Sequence, residues 1–189
     1  MRPRLRPGPK AGRILRRLGF GLGIGLGLAL SPPGLQIPVR AATGPPSPGE
    51  VGRRAPNFSR VDLDRRRITL ADYRGKTVLL DFWATWCEPC LAEIPRFVAW
   101  QREYGAEGLR IVGVSMDDDA PPVRAAYRKY ALNYPVAMGD EKIGELYGGI
   151  LGLPVTFLID AKGTIRFEHR GAVDPNQMQE EIRSLLQRR

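Results

Sequence analysis

The only two cysteines of this 189-residue chain, Cys87 and Cys90, stand in the stretch WATWCEPCLAEIP. An apolar run rich in β-forming residues (76–84) ends just before them, and a helical pattern (88–104) starts beside them. A spacing of three on a helix places both sulfurs on one side, at a Cα distance that a disulfide can span. The sequence therefore allows a reversible disulfide where a strand gives way to a helix.

The position of Cys87 at the start of a helix favours the reactive form of its thiol. Unpaired backbone N–H groups and the positive end of the helix dipole both stabilise a thiolate there. A thiolate attacks a foreign disulfide, and Cys90 can then resolve the mixed disulfide by intramolecular attack. Pro89 fits the first turn, where its missing N–H has no carbonyl to meet. The pattern predicts thiol–disulfide exchange.

Acidic residues surround the pair. Glu93 lies three residues after Cys90 on the same helix face, where partial burial would raise its pKa and suit it to exchange a proton with that thiol; a solvated glutamate is the alternative. Asp81 stands near the end of the apolar run, where a carboxylate is costly unless it is paired or used. Which of the two acids works remains open at this stage. Glu88 disfavours a Cys87 thiolate, which predicts a reductant rather than an oxidant.

Other functions of a cysteine pair have less support. A structural zinc site needs about four ligands, and besides the cysteines the chain has a single histidine, His169, which we interpret as a strand-end surface residue without a role. We therefore predict no metal and no cofactor. A purely structural disulfide that closes so short a loop would contribute roughly 2 kcal/mol or less. An inert buried pair fits poorly with the Glu88-Pro89 insert.

Two functional alternatives use the same cysteines. A Cu(I)-binding chaperone would use both sulfurs as soft ligands, although Met116 and Met138 lie far from them along the chain. A peroxidase of the peroxiredoxin type expects threonine three residues before the reactive cysteine. Ala84 stands there and Thr85 comes one residue too late, so this alternative ranks last.

The rest of the chain supplies elements that can position the pair. We predict, in order, a small hairpin (58–70), strands at 76–84 and 109–116 around the helix 88–104, a helix within 117–134, a hairpin of 155–160 and 163–169, and a last helix from Asp174-Pro175. A parallel βαβ half followed by an antiparallel ββα half, with helices on both faces of a mixed sheet, is the plan of a thioredoxin-like α/β domain.

The N-terminal segment has a different composition from the rest. Residues 1–40 hold eight of the 29 basic side chains and none of the 20 acidic ones, so the chain beyond them carries a net charge near +1 and we predict no nucleic-acid partner. Thirteen uncharged apolar residues (18–30) are fewer than the ~20 of a spanning helix. We predict a signal peptide or membrane anchor at 1–41, a Pro/Gly-rich linker at 42–56, a thioredoxin-like domain at 57–189, and an extracytoplasmic location.

The stretches FWATWCEPCLAEIP and GLPVTFLIDAKG resemble the TlpA/ResA type of extracytoplasmic thioredoxin-like proteins of the redoxin family, which includes cytochrome c maturation oxidoreductases. The resemblance covers roughly residues 55–189. It implies that Cys87 is the exposed attacking thiol, that Cys90 is the buried resolving thiol, and that Pro154 is a cis-proline facing the pair after a helical insertion. It also implies an acid at Glu93. Asp81 departs from many members, which carry asparagine there.

The resemblance also implies partners. These are a protein disulfide as substrate, with apocytochrome c as one candidate, and a membrane thiol donor that regenerates the reduced protein. The residues expected to form the substrate-binding surface flank the cysteines in sequence or in the predicted fold, and they are Trp86, Glu88, Pro89, Leu153 and Pro154.

Overall fold

The structure is a computed structural model that describes residues 51–188. The predicted signal peptide or anchor at 1–41 and residues 42–50 of the predicted linker lie outside the described residues. Within residues 51–188, no helix is long and apolar enough to cross a membrane.

Seven strands within residues 51–188 form two sheets. β1 (Ser59–Val61) and β2 (Arg67–Thr69) make a separate antiparallel hairpin. The central sheet contains β3 (Thr77–Trp83), β4 (Leu109–Ser115), β5 (Val136–Met138), β6 (Val155–Ile159) and β7 (Ile165–Arg170), in the spatial order β5-β4-β3-β6-β7. β3, β4 and β5 are parallel, whereas β6 and β7 are antiparallel to their neighbours. This confirms the predicted mixed sheet and both predicted hairpins.

Four α-helices and a short 3₁₀ helix (Leu70–Tyr73) connect the strands. The α-helices are α1 (Glu88–Tyr104), α2 (Ala120–Lys129), α3 (Glu141–Leu146) and α4 (Pro175–Gln187). Buried side chains of α1, α2 and α4 join one hydrophobic cluster, while Ile143 of α3 joins a second. The helices therefore cover both faces of the sheet, as predicted. The pattern of residues did not indicate β5, because three residues are too few to show an alternation.

Strand β3 lies at the centre of the sheet and all seven of its residues are buried. Its side chains alternate between the two faces, so Leu79 and Trp83 join the cluster under α1 and α4, while Leu80 and Phe82 join the opposite cluster. Asp81 points to the same side as Leu79 and Trp83. The alternation thus places one carboxyl group inside the cluster that also holds the cysteines.

The last residues of the predicted linker pack on the domain. The N–H of Gly52 donates to the carbonyl of Ile165 at 2.8 Å, and the N–H of Ile165 donates to the carbonyl of Arg53 at 2.8 Å. Ala55 is buried, and its N–H donates to the carbonyl of Gly163 at 2.9 Å. The packed structure therefore starts a few residues before Asn57.

Candidate active site

Cys87 and Cys90 form a disulfide at the N-terminus of α1, with their Cα atoms 5.3 Å apart. Cys87 is the N-cap residue of the helix, and its sulfur accepts a hydrogen bond from the N–H of Cys90 at 3.3 Å. Pro89 lies in the first turn, as the sequence predicts. The sulfur of Cys87 therefore stands where an unpaired helix N–H group can stabilise a negative charge.

The disulfide is more covered than the resemblance implied. Cys87 is 5% exposed and Cys90 is 1% exposed, so the expectation of an openly exposed Cys87 is wrong for this oxidised form. The cause is packing, because both sulfurs belong to the same buried cluster as Trp83. The residues around the pair are open, since Glu88 and Pro89 are exposed. Access to the disulfide is therefore from the side of Cys87.

Trp86 and the segment before β6 flank the pair. Trp86 is 70% exposed, although it directly precedes Cys87. The peptide bond between Leu153 and Pro154 is cis, as the resemblance implied. Phe82 pairs with Val155 in the sheet, which places Pro154 at the end of β3 from which the chain leads to Cys87. Leu153 packs against the cluster that contains both cysteines.

Asp81 is a buried acid on the face of the sheet that carries the disulfide. Its side chain is buried, with 2% of the residue exposed. Burial is the main cause that raises its pKa to about 8, and the nearby charge of Glu93 adds to the rise. The hydroxyl of Thr156 donates to Oδ1 of Asp81 at 3.3 Å and opposes this rise. At neutral pH a carboxyl group in this position is largely protonated, so it can both accept and return a proton near pH 8.

Glu93 is partly buried beside Asp81. Burial raises its pKa, while a hydrogen bond from the N–H of Val173 (3.4 Å to Oε1) and the charge of His169 lower it. Its Oε2 atom is buried without a hydrogen-bond partner among the described residues. The alternative of a fully solvated glutamate is therefore wrong. Both predicted acids lie within electrostatic range of each other on the side of the sheet that carries the disulfide.

His169 is partly buried and paired, whereas its sequence position predicted a surface residue without a role. Its Nε2 atom lies 2.6 Å from Oε2 of Glu181 on α4, and both side chains are 12% exposed. The pairing of Asp81 with Thr156 and of Thr156 with His169 places these three residues in one row across β3, β6 and β7. A single histidine near the end of a strand gave no signal of this partner, because strand pairing and the docking of α4 create the site.

Asp117, which the sequence analysis did not single out, holds the loop between β3 and Cys87. Its carboxylate accepts hydrogen bonds from the N–H of Thr85 at 2.9 Å, from the hydroxyl of Thr85, and from the hydroxyl of Ser115 at 2.7 Å. Asp117 is 8% exposed. The hydrogen bond from the Thr85 hydroxyl thus helps to hold the loop in place.

A groove of about 270 Å³ opens beside Glu93. Its lining includes Pro89, Glu93, Arg96, Trp100 and Val173. The groove leads from the exposed first turn of α1 toward the carboxyl group of Glu93. The partly exposed acid, unlike Asp81, can therefore exchange protons with solvent.

The copper alternative would use Cys87 and Cys90 as its two ligands, and these residues are joined in a disulfide here. Within residues 51–188, no cluster of three or more His, Cys, Asp or Glu side chains could hold a metal ion. Met116 packs against the cluster on the face of α3, whereas Met138 packs against the cluster that contains the cysteines.

Comparisons with known proteins agree with this chemistry. Residues 51–168 match the AhpC/TSA family. The chain is 36% identical over 138 residues to the thiol-disulfide oxidoreductase ResA of Bacillus thuringiensis subsp. konkukian. This alignment covers 72% of this chain and 79% of that protein. It is also 36% identical over 134 residues to the thioredoxin-like protein YneN of Bacillus subtilis, covering 69% of this chain and 78% of that protein.

A solved structure shows the same fold. A thiol:disulfide interchange protein DsbE from Chlorobium tepidum superimposes with a TM-score of 0.69 at 30% sequence identity, over 73% of this chain and 99% of that one. Topology, redox site and sequence similarity all lead to one assignment. The chain belongs to the AhpC/TSA family and is a thiol-disulfide oxidoreductase with a thioredoxin-like fold.

Proposed function

We propose that this protein is an exported reductant of protein disulfides in which Cys87 attacks and Cys90 resolves. The observation that carries the proposal is a disulfide at a helix N-terminus with Asp81, an acid whose pKa is raised to about 8, buried on the same face of the sheet. Such a group can take the proton that a resolving thiol must lose. The roles of Asp81 and Glu93 as proton acceptors are part of this proposal.

The reaction starts from the reduced protein. The thiolate of Cys87 attacks one sulfur of the substrate disulfide, forming a mixed disulfide and releasing the other substrate sulfur as a thiolate that takes up a proton. Cys90 then loses its proton to the Asp81–Glu93 carboxyl pair and attacks the sulfur of Cys87. The second substrate thiol leaves and the Cys87–Cys90 disulfide forms. Two electrons and two protons have passed to the substrate once the carboxyl pair returns its proton.

The acidic surroundings favour the reducing direction. Glu88 is exposed directly beside Cys87, and Glu93 lies one turn after Cys90 on the same helix. Negative charge near the site raises the free energy of a thiolate and so destabilises the reduced form. A pair with a less stable reduced form donates its electrons more readily.

Substrate recognition is proposed to occur around the opening over Cys87. Trp86 and the exposed Glu88 and Pro89 form one side, and Leu153 with Pro154 forms the other. The exposed indole offers apolar surface to a peptide that carries a disulfide, and the Cys-x-x-Cys pair of apocytochrome c is the candidate that we favour.

The location of the protein is proposed from its N-terminal sequence. An Arg-rich start and an apolar block within residues 1–41 fit a signal peptide or membrane anchor, and residues 42–56 then provide a linker. Outside the cytoplasm, a membrane thiol donor would regenerate the reduced protein. No metal or cofactor takes part in the proposed exchange reaction.

Insulin reduction by the purified protein tests the activity. We expect turnover with dithiothreitol as electron source, and complete loss in Cys87→Ser, because the attacking sulfur is absent. Equilibration with glutathione tests the direction. A reduction potential near that of thioredoxin supports the proposal, and one near the DsbA end of the scale contradicts it.

A trapping experiment identifies the substrate. Cys90→Ser, expressed with its own N-terminal segment in the native host, retains the attacking thiol but cannot resolve the mixed disulfide. Mass spectrometry of the trapped adduct would show apocytochrome c if the proposal is right. A trapped protein without a cysteine pair of its own would contradict the substrate assignment while leaving the exchange chemistry intact.

A further inference from the structure

We propose that the end of the domain opposite the disulfide docks onto an anionic membrane surface, through cationic side chains around the turn between β6 and β7. We call this surface the basic end, and it consists of Arg54, Arg74, Lys162, Arg166 and Arg188. The inference rests on the proposed extracytoplasmic location. It goes beyond the exchange reaction, because these residues lie at the other end of β3 from Cys87.

Contacts around the β6–β7 turn bring the five cations together. Arg54 forms an isolated β-bridge with the turn, and Nη1 of Arg74 donates to the carbonyl of Lys162 at 3.0 Å. Lys162, Arg166 and Arg188 line one groove of about 330 Å³. All five residues are exposed to solvent. They therefore form one cationic surface rather than scattered charges.

Two acids near the basic end neutralise only part of its charge. Asp160 is partly buried, and its Oδ1 atom accepts hydrogen bonds from the N–H groups of Lys162 and Thr164, both at 2.9 Å. Its Oδ2 atom lies 3.9 Å from Nε of Arg166. Asp72, on the 3₁₀ helix, is exposed. Five positive and two negative charges leave the basic end, with these two acids, at a net charge of +3.

The chain enters the described domain at the basic end. The N–H of Gly52 donates to the carbonyl of Ile165, and the N–H of Ala55 donates to the carbonyl of Gly163 in the turn. Residues 42–50 separate this point from the predicted signal peptide or membrane anchor. An extended chain of that length spans at most about 30 Å. A retained anchor would therefore keep the basic end, rather than the disulfide, near the membrane surface.

The opposite end of the domain carries negative charge. Ile159 pairs with Val78 at the start of β3, whereas Cys87 follows the end of β3. At about 3.3 Å per residue, the strand separates the β6–β7 turn from the disulfide by roughly 20 Å. The exposed acids at the disulfide end, after β3 and β4, are Glu88, Asp118 and Asp119. An anionic bilayer attracts one end of the domain and repels the other, so docking orients the disulfide away from the membrane.

Co-sedimentation with vesicles tests the proposal on residues 51–189, without the basic N-terminal segment. Both hydrophobic clusters and the central sheet are made by residues 51–188, and the match to the Chlorobium tepidum structure covers 99% of that chain, so this part is a complete folding unit. We expect binding to vesicles of equal parts phosphatidylglycerol and phosphatidylcholine at about 0.1 M salt. Binding should be lost at about 0.5 M salt and with phosphatidylcholine alone.

Two variants with the same change in net charge separate the basic end from general attraction. The first combines Arg74→Gln, Lys162→Gln, Arg166→Gln and Arg188→Gln. It should weaken vesicle binding by at least about thirtyfold, because each basic side chain near an anionic surface strengthens binding by about fivefold. The matched control changes four exposed cations of the β1–β2 hairpin and α2, beside β5 at the other edge of the sheet, and should weaken binding by less than about threefold. It combines Arg66→Gln, Arg67→Gln, Arg128→Gln and Lys129→Gln.

Insulin reduction in the presence of vesicles reports the orientation. Because Cys87 lies at the far end of β3, vesicle-bound protein should reduce insulin at the rate of the free protein. A loss of activity on binding would mean that the disulfide faces the membrane, and it would overturn the proposal. Both variants should keep this rate in solution, and circular dichroism confirms that each is folded.

Three further results would overturn the proposal. They are equal binding by the two variants, equally strong binding to phosphatidylcholine alone, and displacement from vesicles by inorganic phosphate at constant ionic strength. The last would show a site for a soluble anion instead of a membrane surface. Vesicle binding needs no turnover, so a protein that binds as expected but does not reduce insulin would refute the proposed function alone.

Discussion

The two faces of the central sheet are built from the same strands but have different chemistry. The face toward α3 is closed by an aromatic cluster, with ring centroids of Phe82, Tyr147 and Phe157 between 5.2 and 6.0 Å apart. The face toward α1 and α4 carries the disulfide together with Asp81 and His169. Neighbouring residues of β3 therefore contribute apolar packing on one face and a buried carboxyl group on the other.

The difference shows how a small domain can tolerate a destabilising site. A buried carboxyl group such as Asp81 costs folding free energy, and so does the Oε2 atom of Glu93, which has no hydrogen-bond partner among residues 51–188. The aromatic rings on the opposite face bury large apolar areas and gain further from edge-to-face contacts. The apolar face thus offsets the cost of the reactive one. Removing a buried ring from the apolar face should therefore destabilise the protein, whereas removing a buried carboxyl group from the reactive face should stabilise it.

The largest effect is expected on the apolar face. Phe157→Ala removes a fully buried ring that contacts Phe82 and Tyr147, and should lower the free energy of unfolding by about 3–5 kcal/mol. Urea unfolding measures this change. The insulin-reduction rate per folded molecule should stay the same, since the ring faces away from the disulfide. Val61→Ala, at an exposed position, is the control and should change stability by less than about 0.5 kcal/mol.

The second-largest effect is expected on the reactive face, where a substitution should raise the free energy of unfolding rather than lower it. The folded-state pKa of Asp81, about 8, is above the value of 3.8 for an unperturbed aspartate. The folded state thus binds the proton more tightly than the unfolded state, and stability is highest below about pH 4 and falls as the pH rises toward 8. Asp81→Asn should remove this fall and stabilise the protein by about 2–4 kcal/mol at pH 8.

The same substitution should slow the reaction. Asparagine cannot accept the proton of Cys90, so disulfide resolution at neutral pH should fall by about ten- to a hundredfold. Urea titrations at pH 5 and pH 8 and stopped-flow kinetics measure the two effects. A variant that loses stability at pH 8, or that gains stability equally at both pH values, would contradict the raised pKa of Asp81.

The sequence allowed the prediction of most of the reactive chemistry. The positions of Cys87, Cys90 and Pro89 followed from the junction of a strand and a helix, and Asp81 was noticed because it interrupts an apolar run. The choice between Asp81 and Glu93 could not be made, since it depends on burial. The structure shows that both are buried to different degrees and interact. Their joint role as proton acceptors belongs to the proposed function.

Features that depend on pairing between distant segments could not be predicted. His169 and Glu181 are twelve residues apart on β7 and α4, and they meet because α4 folds back onto the sheet. Asp117 looked like part of a helix start, whereas its carboxylate turns back to hold Thr85. Burial of Cys87 was also missed, because the exposure of a helix N-cap depends on the loops packed around it.

A smaller effect on stability is expected at Glu93. Glu93→Gln removes a carboxyl group whose pKa is raised by burial, so the free energy of unfolding should rise slightly at neutral pH. The difference between the variant and the unchanged protein should vanish at low pH, where both side chains are neutral. Because the group is partly exposed, solvent screening limits the gain to less than about 1 kcal/mol. Thermal melts at pH 4 and pH 8 measure it. The variant should also lower the pKa of Asp81, because the Glu93 charge contributes to its rise.

The smallest change in stability is expected at Trp86, and its comparison with Trp83 separates recognition from folding. Trp86 is 70% exposed whereas Trp83 is 1% exposed, although both precede the same disulfide. Trp86→Ala should change the free energy of unfolding by less than about 0.5 kcal/mol, while Trp83→Ala should lower it by about 3–5 kcal/mol. If the indole of Trp86 binds substrate, its loss should raise KM for a protein disulfide and leave the reaction with a small disulfide unchanged. Equal rates with both substrates would show that this exposed side chain takes no part in recognition.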